Sequence, residues 1–131
     1  MLPLIILTGP TGSGKSETAL ALAKKLDTDI ISADSLQVYK YFDIGTAKPS
    51  LAAREDITHH LIDILEPNEE FNAFGFKTRA LEVIFKLMKQ GKIPILVGGT
   101  GLYIKVLIED YDCAEGTSPE TQKRIYRDIC E

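Results

Sequence analysis

The octapeptide Gly9-Pro10-Thr11-Gly12-Ser13-Gly14-Lys15-Ser16 constrains this chain more than any other stretch. It comes after a short, continuous apolar run, Leu4 to Leu7, which suits a strand buried on both faces. It precedes Ser16 to Leu26, where Ala19, Leu20, Leu22, Ala23 and Leu26 recur at helical spacing. A GxxxxGK[ST] segment between a strand and a helix is a phosphate cradle. Its glycines let the backbone curl so that successive N–H groups point at phosphate oxygens. The start of the helix adds partial positive charge. Lys15 brings an ammonium to the same phosphates, and Ser16 offers a hydroxyl to Mg²⁺, a cation that prefers oxygen ligands. The competing reading is a Gly-rich turn that only links strand to helix, and the full match with correct flanks argues against it. The motif does not say which polyphosphate binds, or whether phosphate is transferred or only departs.

Downstream, strands and helices alternate. Asp29 to Ser32 reads as a second strand and Leu61 to Leu65 (LIDIL) as a third, closed by Glu66-Pro67. From about Asn72 to Gln90, apolar residues return every three or four positions, and Gly91 is placed to end that helix. Ile93 to Val97 reads as a fourth strand. Gly98-Gly99-Thr100-Gly101 then opens a helix over Leu102 to Ile108. This alternation predicts an α/β fold: a parallel sheet of the P-loop NTPase type with helices on both faces. Residues 1–110 are expected to form the catalytic core. Residues 111–131 are expected to be a linker and the start of a helical segment of a longer enzyme, with Pro119 opening a last helix that carries Ile125 and Ile129 on one face.

Composition adds exclusions. At 131 residues the chain can build one core and not two. Its net charge of −4 gives no global reason to bind a polyanion, so a nucleic-acid partner would need a local basic patch. Cys113 and Cys130 fit no metal spacing; a disulfide between them stays open, and the plainer reading is two free thiols in a reducing cytoplasm. MLPLIILTG reads as a first strand and not a signal peptide, and no apolar window is long enough to span a membrane. A cytoplasmic monomer is expected.

Asp34 lies just past the second strand. In an open α/β sheet, ligands sit at the carboxyl ends of the strands, so Asp34 should face the same crevice as the glycine-rich loop. It could bind Mg²⁺, as acidic residues do in P-loop kinases. It could equally take a proton from an attacking nucleophile. The bland alternative is a turn aspartate, since Asp-Ser is good turn chemistry.

The segment after Asp34 is unlike that of a small-molecule kinase. The chain reads GPTGSGKS, then DSLQVY (Asp34 to Tyr39), then DIGTAKP (Asp43 to Pro49), then HHLID (His59 to Asp63), then VGGTGLY (Val97 to Tyr103). In this order the five motifs resemble the tRNA dimethylallyltransferases, also called tRNA isopentenyltransferases, over nearly all of residues 3–110. The resemblance implies transfer of a dimethylallyl group from dimethylallyl diphosphate to N6 of adenosine 37 in tRNA. The cradle, Gly9 to Ser16, would then hold the isoprenoid diphosphate, with Ser16 on the metal. Asp34 would be the general base or hydrogen-bond partner of the adenine amine, and Thr100 would lie near the reacting centre. Asp34, Ser35, Leu36, Gln37 and Thr100 would contact the tRNA around its target base, which must leave its stack to react. The implied partners are dimethylallyl diphosphate and a tRNA anticodon stem-loop, and the implied cofactor is Mg²⁺. Gly75 stands where the family carries an acidic residue, which predicts a weaker local cap. Three rival readings remain: an ATP-using small-molecule kinase, an adenylate isopentenyltransferase acting on free nucleotides, and a diphosphate- or nucleotide-binding fragment without turnover.

Other residues invite function but have plainer readings. His59 and His60 are adjacent and should point to opposite sides of a strand, so structural or hydrogen-bonding roles are expected over shared metal ligation. Lys40 and Lys48 read equally well as phosphate contacts or as solvated surface. Tyr39 and Tyr41 read equally well as base-stacking groups or as loop anchors. Phe71, Phe74 and Phe76 read as core, and Lys24-Lys25 as a solvated helix face.

Overall fold

Two apolar layers, one on each face of a parallel sheet, organise the described residues, 3–109, of the computed structural model. In chain order the elements are β1 (Ile5–Thr8), α1 (Lys15–Leu26), β2 (Ile30–Ser32), α2 (Leu51–Asp56), β3 (His59–His60), α3 (Ala73–Lys89), β4 (Ile95–Gly98) and α4 (Gly101–Ile108). The sheet order is β1-β4-β2-β3, with every neighbouring pair parallel. Because side chains alternate along a strand, register decides which core each residue joins. Ile30 pairs with Ile95 and packs with Ala19 and Ala23 of α1 on one face. Ile31 pairs with Leu96 and joins Phe76, Ala80 and Ile84 of α3 and Tyr103 and Ile104 of α4 on the other. The α/β architecture with helices on both faces is therefore the one the alternation predicts.

The helix termini obey local chemistry. Asn72 caps α3, its Oδ1 accepting from the Gly75 N–H at 2.9 Å, so the cap is intact despite the missing acidic residue. At the other end Gly91 takes φ +73°, its N–H donates to the Met88 carbonyl, and the Lys92 N–H reaches back to Leu87. That is a Schellman ending, with glycine at the left-handed position. Phe76, 1% exposed, stacks on Tyr103 at 4.6 Å between ring centroids, and Phe71 meets the same ring edge-on at 6.1 Å. Phe74 instead stands at the surface, 39% exposed.

Three expectations change. The third strand is not Leu61 to Leu65 but His59–His60, which pair with Ile30 and Ile31. Leu61 and Asp63 adopt φ of +63° and +54°, so the LIDIL run coils, and only Leu65 regains a bridge, to Tyr39. Leu61, Ile62 and Leu65 are nevertheless buried, so it is core demand and not strand pairing that makes the run apolar. The fourth strand lies two residues later at its start and one at its end than the apolar pattern predicts, at Ile95–Gly98. Finally, α2 has no counterpart among the predicted elements. Its signal is local: Ser50 precedes Leu51-Ala52-Ala53 and its Oγ accepts from the Ala53 N–H at 3.1 Å. The predicted linker from Asp110 to Ser118, the last helix from Pro119 and both cysteines lie outside the described residues. Among the described residues no helix is long and apolar enough to cross a membrane.

Gly98 marks the tightest backbone approach. A Cβ there would stand 2.2 Å from the Ala33 carbonyl oxygen, a backbone atom that cannot swing aside. Gly98→Ala is therefore expected to cost about 3 kcal/mol, at the upper end for overpacking. Gly101→Ala, at a helix start with nothing within 4 Å, should be neutral or stabilise by about 0.5 kcal/mol. Urea unfolding of the two variants beside the parent checks the contrast, and equal stabilities would refute the close approach.

Candidate active site

All four strands run the same way, so the loops leaving β1, β2 and β4 emerge at one edge of the sheet. The first is the glycine-rich loop that the sequence pattern predicts to be a phosphate cradle. Gly12 and Gly14 hold φ of +82° and +81°, a backbone that other residues adopt only with strain. No side chain caps the start of α1, which leaves its first-turn N–H groups free to meet an anion. Lys15 Nζ lies 3.3 Å from the Pro10 carbonyl, curled over the inside of the loop.

The second loop carries Asp34. Its Oδ1 accepts from the N–H groups of Leu36 at 2.8 Å and Gln37 at 3.1 Å, an Asx-type turn that fixes the carboxylate. With Oδ1 engaged, Oδ2 is the oxygen left for a ligand. The third loop is stitched to the second. The Ala33 N–H donates to the Val97 carbonyl at 2.8 Å, the Thr100 N–H to the Ala33 carbonyl at 3.3 Å, and the Ser35 N–H to Thr100 Oγ1 at 3.0 Å. Thr100 precedes α4 in the capping position, yet its hydroxyl turns to Ser35 and not to the helix. Its own proton remains available to donate.

These loops meet at a cavity of about 390 Å³. Thr11, Lys15 and Ser16 line it from the cradle, and Asp34, Leu36 and Gln37 from the second loop. Thr11, Lys15 and Ser16 of the glycine-rich loop and the Asp34 loop thus open into one space. Ser35 and Thr100 are not on its lining; they are joined to each other by the Ser35 N–H to Thr100 Oγ1 bond. A second, more open pocket of about 360 Å³ is lined by Gly12, Gly14, Lys15 and Ser16 of the cradle together with Ala47. Gly9, Pro10 and Ser13 line neither. A Cβ at Gly9 would come within 3.1 Å of Ser13 Oγ, so Gly9 shapes the turn itself.

The far wall comes from residues to which the sequence offered no sharp role. Gly45 to Pro49 runs along the cavity, and Gln37 ties it down: Gln37 Nε2 donates to the Thr46 carbonyl at 2.9 Å while Ser32 Oγ donates to Gln37 Oε1, also at 2.9 Å. Lys48 is neither solvated nor aimed at a ligand. Its side chain is 6% exposed and its ammonium donates to the Tyr39 carbonyl, Asp43 and Asp63. Lys40 is a surface group paired with Glu66 at 2.7 Å, and Lys24 pairs with Asp56. Tyr39 sits 5.5 Å from Phe42 between ring centroids, as a loop anchor would, whereas Tyr41 is 74% exposed. His59 and His60 have separate partners, as adjacent strand residues must: His59 Nδ1 lies 2.7 Å from the Ile57 carbonyl and His60 Nε2 lies 2.8 Å from Asp29. His59 also reaches the cavity lining.

Burial beside Arg54 and His60 pushes the His59 pKa below its ordinary 6.5, although the Ile57 carbonyl favours the charged ring. The folded state therefore resists protonating His59. Its contribution to stability is complete above about pH 6.5 and is lost as pH falls toward the folded value. Ring-carbon NMR titration should place the His59 midpoint below 6.5, and His59→Gln should remove part of the acid destabilisation seen in urea midpoints between pH 7 and 5. A His59 midpoint above 6.5 would contradict the burial argument.

Comparison with known proteins places this arrangement. The profile of the IPP transferase family matches residues 37–131. The chain is 46% identical over 130 residues to the tRNA dimethylallyltransferase of Pelotomaculum thermopropionicum, covering 98% of this chain and 41% of that protein. It is 51% identical over 117 residues to the tRNA dimethylallyltransferase of Staphylococcus saprophyticus, covering 89% of this chain and 37% of the relative. Among solved structures, the full-length tRNA isopentenylpyrophosphate transferase of Bacillus halodurans superposes with a TM-score of 0.83 at 37% identity, covering 98% of this chain and 43% of that one. A eukaryotic dimethylallyltransferase acting on tRNA superposes with a TM-score of 0.76 at 34% identity, covering 91% and 31%. The chain thus spans about two fifths of the length of the curated relatives it matches.

Proposed function

This chain belongs to the IPP transferase family, and we propose that it forms the diphosphate-binding and proton-accepting part of an enzyme that transfers a dimethylallyl group from dimethylallyl diphosphate to N6 of an adenosine in tRNA. The observation that carries the reading is the shared cavity: Lys15 and Ser16 line the same space as Asp34, whose Oδ2 is its uncommitted oxygen.

The diphosphate would lie on the amides of Gly12 to Ser16 with its charge against Lys15. Donors fixed in advance stabilise negative charge as it grows on the departing group, which suits a reaction whose barrier lies in breaking a carbon–oxygen bond. The residues fit Mg²⁺ in a limited way. Ser16 on the cavity lining offers one hydroxyl, and Mg²⁺ takes most of its remaining ligands from phosphate oxygens and water. When bound there, Mg²⁺ would add charge neutralisation on the diphosphate.

The exocyclic amine of adenine is a poor nucleophile because its lone pair is delocalised into the ring. A carboxylate against it orients the amine and accepts a proton as the bond forms. In the proposed step the N6–C1 bond forms and the C1–O bond breaks. Diphosphate leaves with the bonding pair, and the N6 proton passes to Asp34 Oδ2. Thr100 steadies the loop through Ser35 and has a hydroxyl proton to donate. Leu36, half exposed at the cavity rim, and Gln37 would meet the target nucleotide.

The test is incubation of the chain with dimethylallyl diphosphate, Mg²⁺ and an anticodon stem-loop, followed by the mass of the RNA. A gain of one dimethylallyl group in place of a proton is expected. The same assay on the chain fused to the remaining length of the Bacillus halodurans relative separates a wrong reaction from a need for sequence beyond this span. Asp34→Ala should lower transfer by about 10²–10⁴-fold, the range for a lost general base, while magnesium pyrophosphate affinity stays within about twofold. Lys15→Ala should instead weaken pyrophosphate by about tenfold or more, as loss of a charged hydrogen bond implies. Phosphoryl transfer from ATP in place of prenyl transfer would overturn the reading.

A further inference from the structure

Three segments form the wall opposite the cradle, and a single buried ammonium joins them. Lys48 Nζ donates to the Tyr39 carbonyl at 2.7 Å, to Asp43 Oδ1 at 2.9 Å and to Asp63 Oδ1 at 2.6 Å. Those bonds use all three of its protons. The other oxygen of Asp63 accepts both terminal nitrogens of Arg54, at 2.7 and 2.8 Å. Arg54 belongs to α2, Asp63 to the coiled run after β3, and Tyr39 to the segment that begins at Asp34. The main chain is laced at the same place: the Asp63 N–H donates to the Gln37 carbonyl, Ile64 to Val38, and Lys40 to Leu65.

This is not how a surface ion pair looks. Lys48 is 6% exposed, and burial works against its charge. The hydrogen bonds and charges of Asp63 and Asp43 outweigh that burial and hold the pKa above the ordinary lysine value, so the ammonium stays charged at neutral pH. The backbone beside it is strained, with Ala47 at φ +52° and Asp63 at +54°. Such conformations persist only where the surroundings hold them. Ala47 lines the second pocket with Gly12, Gly14, Lys15 and Ser16 as well as the main cavity.

We infer that Lys48, clamped by Asp63, is a positioning residue that holds the Gly45–Pro49 strap against the cradle at the height a diphosphate requires, acting through Ala47 while its own ammonium, though on the cavity lining, is committed to Tyr39, Asp43 and Asp63. The inference takes from the proposed function only that the cavity seats a diphosphate. Gln37 completes the device from within: its amide grips Thr46 on one side and Ser32 on the other, so a displaced strap would pull on the Asp34 loop too.

Lys48→Met keeps the stem and removes the charge. It orphans no buried acid, because Asp63 keeps Arg54 and Asp43 is 70% exposed. Hydrogen exchange measured residue by residue should quicken about tenfold or more at the Lys40, Asp63 and Ile64 amides, the ratio implied by a lost hydrogen bond to a charged group. Exchange at Ile84 and Leu96, in the core, should not change. Magnesium pyrophosphate, titrated calorimetrically, should bind about five- to tenfold more weakly, with Asp43→Asn within about twofold of the parent. Asp63→Asn, which keeps the side-chain shape, provides a second variant and should show the same local pattern at smaller amplitude. Uniform acceleration through the core, or unchanged pyrophosphate affinity, would overturn the positioning role. If the local exchange and affinity shifts appear but no RNA is prenylated, the strap assignment stands and the transfer reaction alone falls.

Discussion

Parallel pairing of β2 with β4 is the constraint on which the site depends. It sends the chain out of both strands at the same edge as the cradle, and Gly98 lets the two exits come closer than any side chain would permit. The amide of Ala33 bonds Val97, the amide of Thr100 bonds Ala33, and the amide of Ser35 bonds the Thr100 hydroxyl. Asp34 therefore inherits its place from the sheet ladder and not from a flexible loop. Groups set on a rigid ladder keep their geometry within the tolerance that reacting atoms demand.

The opposite wall has no strand to rest on, and charge does that work. Buried ion pairs are weak evidence of stability, since desolvation offsets most of the attraction. The Lys48–Asp63–Arg54 group is better understood through what it joins: the strap, α2 and the coiled run after β3, two of which carry left-handed backbone at Ala47 and Asp63. An apolar cluster could fill the same volume. It would not dictate which carbonyl meets which donor, and it would not fix a strap at one height.

Much of this was legible in the residues. The cradle, the α1 and α3 helices and the location of Asp34 emerge from glycine chemistry, 3.6-residue periodicity and the carboxyl-end rule. The misses share a cause. LIDIL looks like a strand because its leucines and isoleucines are buried, but burial does not specify backbone, and two left-handed residues break the run. β3 is hard to see because two histidines on a sheet edge carry no apolar pattern. α2 is too short for periodicity, though Pro49-Ser50 before an alanine pair is readable as a cap. Lys48 is ambiguous because its partners lie five, nine and fifteen residues away, in loops whose paths no local rule supplies.

The charges inside the cavity finally explain why one carboxylate is held so firmly. A diphosphate seated as proposed would repel Asp34, and in a confined space that repulsion would be screened less than in water. Of the two lysines on the lining, Lys48 is already neutralised by Asp43 and Asp63, which leaves Lys15 to face the anion. A freely rotating carboxylate would swing away from the incoming charge. Two backbone N–H groups on Oδ1 prevent that, and they place positive dipole ends against the group that the anion would otherwise expel. The turn that looks like ordinary loop chemistry thus keeps a negative group in place at the cavity, where the proposed reaction would deliver a proton.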